Sequence, residues 1–232
     1  MTRAALPHRS DISLADKLID AAEMLYAKHG IGGASFRQIS VEAGSANNYA
    51  VQYHFGDLAG LVRAVLENRM PELERRRAAL LAKAKEADRL GDLRTLNEVL
   101  YRPLMEYTNA RGERWFARFI LALFTSPMGL SLASGTEGQA PVSAHVLDLQ
   151  YAAHPEVPPI LLHERHRMVV TMIVMTVLNR HKLFDNELDA ALIDNALDMA
   201  TAAVSAPVNK AVRSLLKKTK TTGAEPPRKP RR

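Results

Sequence analysis

The stretch Ser35-Phe36-Arg37-Gln38-Ile39-Ser40-Val41-Glu42-Ala43-Gly44-Ser45-Ala46-Asn47-Asn48-Tyr49-Ala50-Val51-Gln52-Tyr53-His54-Phe55-Gly56 decides how this chain is read. Ser35 and Gln38 have the spacing of a capping box. The serine hydroxyl takes the third helical N–H while the Gln side chain reaches back to the cap. The spacing predicts a short helix from Phe36 to Ala43, stopped by Gly44. The polar turn Ser45-Ala46-Asn47-Asn48 then leads into a second short helix through His54, with Ala50 and Val51 as its small inward-facing positions. Gly56 and Asp57 break and restart the chain, Asp57 serving as N-cap of a long helix from about Leu58. Two short helices joined by a glycine-containing turn, with a third before them, make a helix-turn-helix candidate. In that motif the second helix enters the major groove of DNA, where Asn and Gln pair with adenine and Tyr, Ser and His reach bases or phosphates. The same composition also reads as an ordinary polar surface helix.

Outward from this stretch the period is helical throughout. Ser13 caps a helix with Leu14, Leu18, Ala21, Ala22 and Leu25 at spacings of three and four, ended by Gly30. Pro71 lies inside the long helix, so a bend is expected at Glu67–Met70, where the proline removes an N–H. Further helices are expected at about 93–109, 113–125, 143–151, 160–181 and 186–204, and the Gly- and Pro-bearing segment 126–141 reads as a loop. No period-2 segment or internal repeat interrupts this, and the fold class is all-α.

The runs Leu18-Ile-Asp-Ala-Ala-Glu-Met-Leu-Tyr-Ala-Lys-His-Gly30, Ala34-Ser-Phe-Arg-Gln-Ile-Ser-Val-Glu-Ala-Gly44 and Tyr53-His-Phe-Gly56 resemble the N-terminal domain of the TetR family of bacterial repressors. The resemblance covers residues 14–66. It implies a three-helix helix-turn-helix DNA-binding domain (residues 1–56) followed by a six-helix ligand-binding and dimerisation domain (57–206). Carried over position by position, it places Ser35, Arg37 and Gln38 near phosphates. It turns Ser45, Asn47, Asn48, Tyr49 and Gln52 to the groove, with Tyr53 and His54 at the backbone edge and Phe55 in the core. Where the family usually carries lysines, in the turn and after the glycine before the long helix, this chain has Ala46 or Asn47 and Leu58.

Charge is distributed unevenly. Residues 207–232 hold nine Lys or Arg and one Glu, a net of +8, whereas the preceding 206 residues hold 22 basic and 24 acidic side chains, a net of −2. Residues 1–56 are neutral, with five charges of each sign. The basic segment 207–232 is expected to be largely disordered, from about Thr219 onward, because its Pro-rich end cannot bury a core. It serves either to attract DNA phosphates or to keep the protein soluble.

Apolar residues at 47% and charged ones at 24% exclude a disordered chain. The longest nearly unbroken apolar run, Met168 to Leu178, is too short for a membrane span, which takes about 18 residues or more. No cysteine is present, which excludes a disulfide scaffold and a thiolate nucleophile. The N-terminal residues lack the apolar stretch of a signal peptide, so a cytoplasmic location is expected.

The run 168–178 is apolar on every helical face and must be covered all round. With the small-residue face of the last helix (Ala191, Ala196, Ala203) it forms either an intrachain core or, as the resemblance implies, half of a homodimer contact. Tyr107, Trp115, Phe119 and Phe124, with Met168, Met172 and Met175, are the candidate lining of a small-molecule cavity, although aromatics at helical spacing also serve as plain core. Arg118, His145 and His163 are candidates to orient a polar head group. His163 and His166 form an i, i+3 pair that would suit a metal, the one enzymatic alternative. It lacks the i, i+4 spacing of the zinc hydrolase helix and an evident third ligand. No phosphate-cradling glycine loop or G-x-S-x-G elbow is present. The expected protein is therefore a non-enzymatic transcriptional regulator without a cofactor. Its expected partners are a palindromic double-stranded DNA operator, a small apolar or amphipathic effector and a second copy of itself.

Overall fold

A computed structural model describes residues 13–132, 137–178 and 186–221. Among the described residues every regular element is helical and no strand occurs. The helices are α1 (Leu14–His29), α2 (Phe36–Glu42), α3 (Ala50–Phe55), α4 (Leu58–Glu86), α5 (Leu93–Glu106), α6 (Trp115–Thr125), α7 (Gly129–Leu132), α8 (Pro141–Ala153), α9 (Pro159–Leu178), α10 (Asn186–Ser205) and α11 (Lys210–Thr221). The all-α class follows.

The first elements form where their capping chemistry puts them. Ser13 Oγ accepts from Asp16 N–H at the start of α1. Ser35 and Gln38 complete the capping box of α2, Gln38 Oε1 accepting from Ser35 N–H at 2.8 Å. Asp57 Oδ1 accepts from Gly60 N–H at 2.7 Å and opens α4. Two sequence expectations are corrected. The segment 126–141 holds the short helix α7 and a 3-10 turn, Glu137–Gln139, instead of being wholly irregular. The basic C-terminal segment is helical over Lys210–Thr221, because Ala211, Val212 and Leu215 recur at helical spacing among the charges.

Two apolar clusters build the interior. One gathers α1, α2, α3, the first half of α4 and α6 around Leu18, Tyr26, Ile39, Val51, Leu61 and Phe116. The other gathers α5, α8, α9 and α10 around Leu96, Val146, Leu162, Ile173, Leu197 and Val204. The first core is continuous from the three N-terminal helices into α4 and α6. Helix α4 therefore belongs both to that unit and to the body. Its 29 residues span about 44 Å at the rise of an α-helix and run through Pro71 as a single element. Arg69 on α4 pairs with Glu23 at 2.6 Å and with Asp20, tying α4 to α1. Between α5 and α10, Arg94 and Arg102 of α5 bridge to Asp194 and Asp198, and a buried chain runs from Gln150 through Asn97 to Thr201.

Candidate functional site

The helix-turn-helix candidate forms as α2, a turn and α3. Gly44, in the left-handed region at φ 74°, ends α2. Ser45 N–H donates to Ser40 C=O at 2.9 Å and Gly44 N–H to Val41 C=O at 3.0 Å, which together satisfy the last carbonyls of the helix. The turn then holds itself: Asn47 N–H donates to Ser45 Oγ, and Asn47 Oδ1 accepts from Tyr49 N–H. Ala50 and Val51 are buried and fix α3 against the core, while Phe55 is half-buried against the same cluster. At the far corner Gly60 permits a close approach, since a Cβ there would lie 1.9 Å from the Phe55 carbonyl oxygen. The angle between α3 and α4 is thus set by contact between backbones.

Ten residues carried the sequence expectation of DNA contact, and they divide by what their side chains already do. Ser35 and Gln38 are occupied with each other at the α2 cap, and Ser45 and Asn47 with the turn backbone. Arg37, Asn48, Tyr49, Gln52, Tyr53 and His54 are all exposed, Tyr49 at 73% and Tyr53 at 83%. Tyr53 and His54 stack edge to face, with ring centroids 5.2 Å apart.

A cavity of about 310 Å³ lies where the two apolar clusters meet. Helix α4 contributes Leu66, Met70, Leu73 and Arg77, and α5 contributes Leu100, Tyr101 and Leu104. Helix α6 adds Phe116, Ile120, Leu123 and Phe124, while α8 adds Ser143, Leu147 and Tyr151. Helix α9 closes it with His163, His166, Arg167 and Val170, four residues at the i, i+3, i+4, i+7 spacing of one helical face.

Of the residues that the sequence offered as cavity lining, Phe124 lines it and the others lie elsewhere. Phe119 is fully buried behind Phe116, their rings stacked with centroids 6.0 Å apart. Tyr107 packs on Phe116 under the Arg76 guanidinium. Trp115 lies between Lys28 and Arg118 and donates from Nε1 to Glu113 at 2.9 Å. Met168, Met172 and Met175 share the opposite face of α9 from His166, because a stripe at 168, 172 and 175 is out of phase with one at 163, 166, 167 and 170. Met168 and Met175 are exposed on that outer face. Among the residues offered to hold a polar head group, His163 lines the cavity and remains exposed, whereas His145 is exposed on α8 and Arg118 donates to Leu178 C=O at 2.9 Å.

The sequence reading missed the polar part of the cavity. Arg77 is buried, donating from Nε to Leu100 C=O and from Nη1 to Glu74. Burial holds the Arg77 pKa below its ordinary value. Glu74 in turn accepts from Val142 N–H at 2.7 Å and from Ser143 Oγ at 2.6 Å. Tyr101 Oη lies 2.5 Å from His166 Nδ1. Burial, with a smaller effect from His163, pushes the His166 pKa down to about 4, so the imidazole is neutral near pH 7. The signal was in the sequence as His163, His166 and Arg167 interrupting an otherwise apolar helix on one face. Concerning the metal alternative, no group of three or more His, Cys, Asp or Glu side chains able to hold an ion occurs among the described residues. His166 Nδ1 is committed to Tyr101.

No family model matches this chain, and no curated protein matches its sequence. A protein from Mesorhizobium loti MAFF303099 assigned to the TetR family of transcriptional regulators has a solved structure similar to this one. It is 13% identical with a TM-score of 0.44, over 84% of this chain and 98% of that one. A likeness that distant leaves the functional reading to rest on this chain's own residues. No helix among the described residues is long and apolar enough to cross a membrane.

Proposed function

We propose that this chain is a homodimeric, sequence-specific DNA-binding transcriptional regulator, a repressor released from a palindromic operator by a small apolar or amphipathic effector. The observation that carries the reading is α4. Its N-terminus is fixed to the exposed α2–α3 unit through the Phe55–Gly60 corner, and two turns further on it walls the cavity with Leu66, Met70, Leu73 and Arg77. A molecule filling the cavity pushes on the same rod that carries α3. Where filling the cavity changes the tilt of α4, the two sites exchange free energy, typically about 1–3 kcal/mol. In this reading residues 1–56 form the DNA-binding unit and 57–206 the sensor, acting in the cytoplasm.

Base readout falls to Asn48 and Gln52, the exposed amides at either side of the first turn of α3, with Tyr49 beside them. Arg37, Tyr53 and His54 take the phosphate side, and Ser35, Gln38, Ser45 and Asn47 act by shaping the motif. A dimer presents two copies of α3, so half-sites are spaced by one helical turn, roughly 34–36 Å, or a multiple of it. The outer faces of α9 and α10 supply the two-fold contact.

Selection of genomic fragments by the purified protein, followed by fluorescence anisotropy on the enriched sequences, tests the reading. A palindromic consensus bound by a dimer is the expected result. Binding of random and enriched fragments with equal affinity would overturn it.

A further inference from the structure

We infer that the cavity takes an apolar monocarboxylate, its hydrocarbon body among the leucines and phenylalanines and its carboxylate against donors on His166 and Arg167. The inference rests on reading the cavity as an effector site and adds the chemical class of what enters it.

Two polar atoms in the lining residues are buried without a hydrogen-bond partner: His166 Nε2 and Arg167 Nε. A buried polar group left unpaired is costly, and natural proteins leave few of them, so each calls for an explanation. Arg167 Nε is a donor in every state. The role of His166 Nε2 follows from its other nitrogen. If the Tyr101 hydroxyl donates to Nδ1, the neutral ring carries its proton on Nε2, and one N–H is left over. In the opposite tautomer Nδ1 donates to Tyr101, which strands both the tyrosine O–H and the Nε2 lone pair. The first arrangement leaves fewer groups unsatisfied. Burial also raises the Tyr101 pKa, which keeps the phenol protonated and able to donate. Both orphans are therefore N–H donors on consecutive residues of α9, and the group that completes them is an acceptor.

The acceptors in the same wall are already engaged. Glu74 receives Arg77, Val142 N–H and the Ser143 hydroxyl, and the Leu100 carbonyl receives Arg77 Nε. An ammonium head group would find no free carboxylate and would meet Arg77 and Arg167. Charge separates a carboxylate from a neutral carbonyl. Arg167 pairs through Nη1 with Glu164 at 3.1 Å, but that carboxylate is half exposed and the pair is largely screened by water. The Arg167 charge is thus incompletely compensated by Glu164, and its Nε is buried without a partner. A charge-assisted N–H to carboxylate bond is roughly twice as strong as a neutral one. Most of the remaining lining on α4, α5, α6 and α8 is leucine, phenylalanine and isoleucine, and Arg77 and Ser143 within it are engaged with Glu74. Such a lining suits a chain or ring as the body of the ligand.

The test uses isothermal titration calorimetry on the full chain with decanoate and 2-naphthoate as probes, against 1-decanol, 2-naphthol and decylamine of matched size. At least one acid is expected to bind tenfold or more tightly than its alcohol, with no binding by the amine. Arg167→Met, which keeps the stem at a partly exposed position, and His166→Gln are each expected to weaken the acid tenfold or more and leave the alcohol within threefold. Circular dichroism identifies any variant that fails to fold, and the other then decides. Alcohols binding as well as acids, or acids unaffected by both variants, would overturn the carboxylate assignment while leaving an effector cavity standing. If no acid or alcohol binds, the effector reading falls and this inference with it.

Discussion

Arg69 Nε donates to the Glu23 carboxylate at 2.6 Å, and its Nη2 reaches Asp20, so one guanidinium of α4 clamps two carboxylates of α1. The two carboxylates differ in setting, since Glu23 is buried and Asp20 is largely exposed. Burial pushes the Glu23 pKa above its ordinary value although Arg69 opposes this. The clamp sits between Leu66 and Met70, which wall the cavity, so it holds the rod where an effector would press on it.

Removing either partner should therefore have unequal effects. Arg69→Met leaves Glu23 buried without its cation and is expected to cost about 3 kcal/mol, the low end for breaking a buried pair. Glu23→Gln leaves Arg69 with Asp20 and should cost less. The deficit of Arg69→Met should also shrink on acidification. With its cation gone, the folded-state pKa of Glu23 rises further above the unfolded value, so the folded protein takes up a proton first as pH falls. Urea unfolding at pH 8 and pH 5 measures both effects, and a deficit that grows at pH 5 would contradict them.

Asn48 and Gln52 should separate from Asn47 in their effect on DNA binding. Gln52→Ala or Asn48→Ala should cost about 1–3 kcal/mol and relax the base preference at one position per half-site, with thermal stability unchanged. Asn47→Ala removes the acceptor for Tyr49 N–H and should lower both stability and affinity. Competition binding with single-base operator variants measures this. Equal weakening on every sequence by Gln52→Ala would move that residue to the phosphates.

His166 sets a pH limit on the body of the protein. Its folded-state pKa of about 4 lies below the ordinary 6.5, so the unfolded chain binds the proton more readily. The contribution to stability is complete above about pH 6.5 and is lost as pH falls through the window down to 4, by about 3 kcal/mol over that range. Denaturation curves for the native chain and His166→Gln at pH 7, 5.5 and 4.5 isolate the effect, because the other titrating groups are common to both. Parallel curves would mean that the ring is protonated without penalty.

The N-terminal unit was legible in the sequence because its determinants are local. Ser35 finds Gln38 three residues away, Gly44 ends α2 by its own backbone freedom, and Ala50 and Val51 are small where the fold needs them small. The cavity was not legible, because α9 is apolar on every face over residues 168–178 and its rotation is decided by packing on α10, α6 and α5. A methionine stripe and a histidine stripe were both present, and packing turned His166 inward while Met168 and Met175 stayed exposed. Helix α11 was missed for a different reason: the charge of the segment masked the recurrence of Ala211, Val212 and Leu215.

The final prediction concerns the outer faces of α9 and α10. These helices bury Val169, Ile173 and Val177 on one side and Ile193, Leu197 and Ala200 on the other, packing together and against α5. Their outer faces keep Met168 at 65%, Met175 at 44%, Leu188 at 41% and Met199 at 50% exposed, large apolar side chains from adjacent helices. If two copies join through this surface as a four-helix contact, a charge placed at its centre must be desolvated without a partner on association. The double variant Met168→Glu, Met199→Glu should then be monomeric at micromolar concentration in sedimentation velocity, with native helicity, since both positions are open in the single chain. Its operator affinity should fall at least tenfold, because two half-sites no longer act together. Effector binding should persist, because neither Met168 nor Met199 lines the cavity. A dimer that survives both substitutions would place the two-fold contact on another face.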